Sequence, residues 1–81
     1  MQNIYFTSQI SLSAELIELI DNYMKNQINN KKIKSSIIKI VNNNYELMFY
    51  ENGQIKAIVK QRLGKKRERI LLHIIEEMRS V

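Results

Sequence analysis

The chain has 81 residues, 44% of them hydrophobic and 26% charged, with a formal net charge of +5 and neither cysteine nor proline. Such a composition belongs to a folded unit rather than a disordered tail, and a chain this short builds one small core that needs most of its apolar residues. Disulfides and thiolate metal sites are excluded. No apolar run approaches the roughly 20 residues that span a bilayer and no signal-peptide pattern opens the chain, so a single basic, soluble, cytoplasmic domain over residues 1–81 is expected.

In chain order, residues 3–12 alternate as a strand does, with Ile4, Phe6, Ile10 and Leu12 on one face and Tyr5, Thr7, Gln9 and Ser11 on the other. Ser13 then offers an N-cap for a helix over 13–28, with Glu15 and Glu18 in its first turns and Leu16, Leu19, Ile20, Tyr23 and Met24 at helical spacing. After a loop at 29–32, three strands are predicted over 32–41, 45–51 and 54–63. Asn52-Gly53 is a strong type I′ hairpin signal between the last two, and Asn42–Asn44 a weaker turn. Gly64 ends the sheet, and a second helix over 65–79 turns Leu71, Ile74, Ile75 and Met78 inward, with Ile70 alongside. The predicted fold is therefore α+β, a two-layer sandwich in the order β-α-β-β-β-α, with a mostly antiparallel four-stranded sheet and both helices on one face.

Catalysis finds little support, because the chain has one histidine, no cysteine and no nucleophile elbow. His73 falls on the polar face of the second helix between Arg69 and the Glu76-Glu77 pair, and is expected to be solvated or ion-paired. A lone histidine beside two glutamates is no zinc set, and two glycines make no phosphate loop. Neither a metal nor a cofactor is expected.

The basic residues are the candidate site. All the excess positive charge lies in residues 31–81, and the last predicted strand presents Lys56, Lys60 and Arg62 on the face opposite Ile55, Ala57, Val59 and Leu63. The following helix opens with Lys65, Lys66, Arg67 and Arg69 against one acid, Glu68, and carries Glu76 and Glu77 near its other end. Cations at a helix N-terminus oppose the backbone dipole by about 0.3–1 kcal/mol each, whereas a docked anion would be gripped by the same charges and the free N–H groups. Lys56, Lys60, Arg62, Lys65, Lys66, Arg67 and Arg69 are thus expected to bind nucleic-acid phosphate, with Tyr5 and Tyr50 on outward strand faces able to stack on bases.

From residue 13 to 80, the predicted α-β-β-β-α order ending in Lys65-Lys66-Arg67-Glu68-Arg69 resembles the double-stranded-RNA-binding domain. That resemblance implies a lysine-rich helix start on phosphates, with Lys65, Lys66 and Arg69 at the matching positions. The whole order over 3–80, with "ISLSAELIELI" and "YENGQIKAIVKQ", is similar to the bacterial ribosome-hibernation factors, which implies a seat on ribosomal RNA. A compact basic chain without catalytic residues also suits phage and mobile-element inhibitors of the anti-CRISPR kind, which hold a nuclease or its guide RNA. There an acidic face of Glu15, Glu18, Asp21 and Asn22 could meet protein. The expected function is that of a non-enzymatic regulator or inhibitor whose partner is structured RNA or a ribonucleoprotein, either a ribosome or a nuclease–guide complex.

Overall fold

A computed structural model describes residues 6–79 and the side chains up to Met78. The chain is helical: α1 is Gln9–Met24, α2 Asn30–Asn43, α3 the single turn Tyr45–Met48 and α4 Ala57–Arg79. No sheet forms among the described residues, whose β-type pairing is a single antiparallel bridge between Phe49 and Ile55. The predicted α+β sandwich and its β-α-β-β-β-α order are therefore corrected to a small helical bundle. The resemblances to the RNA-binding domain and to the hibernation factors rested on that order and lose their structural basis.

Each change has a local cause. In α1 the cap is Ser8, not Ser13: the Ser8 Oγ accepts from Ser11 N at 3.1 Å, and the helix is under way by Gln9. Ile10, which a strand would have buried, is 54% exposed, while Leu12, Leu16 and Ile20 fall four apart and are fully buried. Ser13 lies buried inside the helix and donates its hydroxyl to Gln9 O at 2.7 Å. The first turn of α1 consequently holds no acidic residue.

The segment 32–41 is rich in isoleucine and looks like a strand by composition, yet its buried positions are Ile33, Ser36, Ile37, Ile40 and Val41, at intervals of three and four. Asn29 caps this helix by accepting from Lys32 N at 2.8 Å. At its far end buried Asn44 donates to Ile40 O at 2.9 Å and accepts from Phe6 N at 3.1 Å, fastening the N-terminal segment to the α2–α3 junction.

The Asn52-Gly53 turn exists but joins no strands. Tyr50 N donates to Gln54 O and Gly53 N to Tyr50 O, both at 2.9 Å. Only Gly53 takes a positive φ, of 86°, so the type I′ geometry, which needs it at Asn52 as well, is not used. Asn52 instead accepts from Gln54 N at 3.0 Å.

Residues 57–63, predicted as strand, form the first arm of α4. Ile55, Val59 and Leu63 are buried in either reading, since a spacing of four satisfies both periods, whereas Ala57 is exposed and decides for helix. Gly64 separates this arm from the second, 65–79, with φ 78° and ψ 166°, a region essentially restricted to glycine. The second arm keeps its predicted register, with Leu71, Ile74 and Ile75 buried and Ile70 and Met78 packed at the edge. One core unites Leu12, Leu16 and Ile20 of α1, Ile33, Ile37 and Ile40 of α2, Met48 and Phe49, and the inner faces of both arms of α4. No helix among the described residues is long and apolar enough to cross a membrane.

Candidate nucleic-acid interface

The bundle divides the seven predicted cations into two groups. Arg67 is structural. Its Nε and Nη2 donate to Asp21 Oδ1 and Oδ2 at 2.9 and 3.0 Å, and its Nη1 reaches Leu63 O at 3.3 Å, tying the start of the second arm to the last turn of α1. Lys60 leans toward Glu68 across the Gly64 bend, with Nζ 3.8 Å from Oε2. Lys56 is half-buried with its ammonium 6.0 Å from the centre of the Tyr50 ring.

Arg62, Lys65, Lys66 and Arg69 are different. All four are exposed, and none makes an ion pair among the described residues. On the second arm Lys65 and Arg69 are one turn apart and Lys66 is three residues from Arg69, which places these three on the exposed face opposite Leu71 and Ile75. Arg62 sits on the outer side of the first arm beside exposed Ile58, so the continuous basic strand face expected from the sequence is replaced by exposed cations on the two arms either side of Gly64. Arg69 also borders a groove of about 330 Å³ between α1 and α4, floored by Tyr23, Ile70 and Ile74 and edged by His73.

The tyrosines fare unequally as stacking residues. Tyr5 lies outside the described residues. Tyr50 is 45% exposed, but its hydroxyl accepts from Ala57 N at 3.2 Å and so caps α4, a structural duty that sequence reading could not assign.

The reversed charge of the last helix is answered at two points, Arg67 and Glu77. Arg67 meets Asp21, and Glu77 meets Lys34 of α2 and His73 Nε2 at 2.9 Å. The hydrogen bond from Arg67 holds the Asp21 carboxyl below its ordinary range, and that from Lys34 does the same for Glu77. Both carboxylates then stabilise the fold above the ordinary carboxylate range near pH 4 and lose that contribution as pH falls through their lowered values. Accordingly, Arg67→Met is expected to lower the urea midpoint at pH 7, with the gap from wild type narrowing steadily as pH falls below the ordinary carboxylate range. A gap that persisted or widened in acid would rule out the pair as its source. Asp21 is also one of the acids that the inhibitor reading offered to a protein partner, and it is already engaged within the chain.

Among the described residues, no three His, Cys, Asp or Glu side chains gather as a metal set would require. Fold and surface together define a small, basic protein, a helical bundle over its described residues, with four exposed cations flanking a helix break. The chain belongs to the family described as "Conserved hypothetical protein", which matches it over residues 3–76. No curated protein and no solved structure gives a significant match.

Proposed function

We propose that this chain is a non-enzymatic module that binds structured RNA, or a ribonucleoprotein that carries it, in the cytoplasm through Arg62, Lys65, Lys66 and Arg69. The reading rests on one observation: these four exposed cations, within eight residues, have no acidic partner among the described residues, although Arg67 and Lys60 beside them do. Surface charges left without a counter-ion on a folded protein cost little in water, and their natural complement is a row of phosphates, whose condensed counter-ions are released on contact. Contacts of this kind fix position on the backbone and read little sequence. Lys60 and Lys56 become auxiliary, since each already interacts with a neighbouring side chain.

The test is an anisotropy titration against a generic hairpin RNA at low and at moderate salt. Saturable binding at low salt that weakens steeply with added salt is expected, and an absence of binding at low salt would overturn the reading. Affinity purification from native cells then separates ribosomes from a nuclease–guide complex as the carrier of that RNA.

A further inference from the structure

A second surface, at the start of α4, has the opposite character. Tyr45, Glu46, Phe49, Tyr50, Glu51 and Lys56 line an open groove of about 450 Å³. We infer that this groove is a docking site for an arginine-bearing segment of a partner protein.

Three observations carry it. Two tyrosine rings stand in water, Tyr45 43% and Tyr50 45% exposed, yet neither is loose. Tyr45 is stacked on buried Phe49 at 4.7 Å between centroids, and Tyr50 is pinned by the Ala57 N–H. They are rigid aromatic faces of the sort that anchor interfaces at small entropic cost. Next, a cation already occupies one of them. The Lys56 ammonium is 6.0 Å from the Tyr50 centroid, at the outer limit of a cation–π contact, which makes it a weak and displaceable occupant. Finally, Glu46 and Glu51 flank the rings without an ion pair among the described residues, while Asp21, Glu68 and Glu77 each face a cation. Two carboxylates against one ammonium leave the groove net negative on a chain whose net charge is +5.

That charge selects the occupant. Phosphate is repelled here, so the groove is no extension of the patch around Gly64. A planar guanidinium stacks on a ring face and forks onto a carboxylate, which lysine cannot do, and carboxylates on two elements, α3 and the following turn, suit successive arginines on an extended segment. The inference stands apart from the RNA reading: Arg62, Lys65, Lys66 and Arg69 play no part in it, and Lys56, auxiliary there, is here only an occupant to be displaced.

The probe is a fluorescein-labelled peptide, Gly-Arg-Gly-Arg-Gly-Arg-Gly, titrated without RNA at about 0.15 M salt, where a Debye length of about 8 Å weakens the repulsion from the basic residues of α4. Saturable binding is expected, with NMR shifts at Tyr45, Glu46, Tyr50 and Glu51. The double variant Glu46→Gln/Glu51→Gln should weaken it about tenfold, and Lys56→Met should strengthen it by about threefold. Both variants alter exposed or loosely held side chains, and unchanged circular dichroism would establish that they fold. A peptide with citrulline in place of arginine, which keeps the shape and loses the charge, should not bind. No saturable binding, shifts mapping elsewhere, or a double variant that binds like the wild type would each overturn the assignment.

Discussion

Gly64→Val is expected to lower the thermal midpoint by roughly 5–20 °C. No atom within 4 Å would meet an added Cβ at this position, so crowding is not the cause. The cost is conformational: a backbone at φ 78° and ψ 166° costs a residue with a side chain about 1–3 kcal/mol, a β-branched one toward the upper end. In a chain of this size each kcal/mol moves the midpoint by about 4–8 °C. The alternative open to the variant, one unbroken helix through residues 57–79, would remove the kink at Gly64 across which Val59 and Leu63 of the first arm and Leu71 and Ile74 of the second are buried in one core. Differential scanning calorimetry gives the answer, and Gly64→Ala sharpens it. Alanine favours helix, so higher helix content with undiminished stability would show that the packing does not require the break.

Neutralising the patch should do the reverse, removing binding and sparing the fold. The variant carrying Arg62→Gln, Lys65→Gln, Lys66→Gln and Arg69→Gln is expected to bind hairpin RNA at least about 100-fold more weakly near 0.1 M salt, on the strength of four lost phosphate contacts. Its thermal midpoint should hold or rise slightly, because three of the four charges oppose the dipole at the start of the second arm or repel one another there. Arg67→Met should show the opposite pattern, with lower stability and RNA affinity within about twofold of wild type. Measuring midpoint and affinity on the same samples separates the two roles, and equal losses of binding from both variants would dissolve the distinction drawn between Arg67 and its neighbours.

Only part of this was legible in the sequence. The second arm of α4 could be read because Leu71, Ile74, Ile75 and Met78 fit helical spacing and no other, and α1 could be read for the same reason apart from its two ends, which lie at Gln9 and Met24 rather than at 13 and 28. The strands were misread where β-branched composition outweighed periodicity. Ile33, Ile37 and Ile40 have the spacing of a helix, and Ile55, Val59 and Leu63 satisfied both periods until the exposure of Ala57 decided between them. Gly64 was correctly placed at a boundary, but one glycine marks a break without saying what it separates.

The candidate site shows the same division. That the cations cluster around Gly64 is plain from the sequence, but which of them are free depends on tertiary pairs 46 residues apart, as with Arg67 and Asp21. The reversed charge of the last helix is no longer by itself a sign of a ligand, because Asp21 and Lys34 answer Arg67 and Glu77 from neighbouring helices. The case for an anion now rests on the cations that nothing answers. The groove at Tyr45 and Tyr50 could not be read at all, since it exists only because α3 and the Asn52-Gly53 turn bring Glu46 and Glu51 to the same rings.

The most direct test of the central claim is the salt dependence of hairpin-RNA affinity. With four phosphate contacts, the logarithm of the binding constant should fall against the logarithm of salt concentration with a slope of about −3 to −4, and the slope should collapse toward zero in the four-glutamine variant. A slope near zero in the wild type, or an unchanged slope in the variant, would contradict the assignment of Arg62, Lys65, Lys66 and Arg69 as the RNA contact.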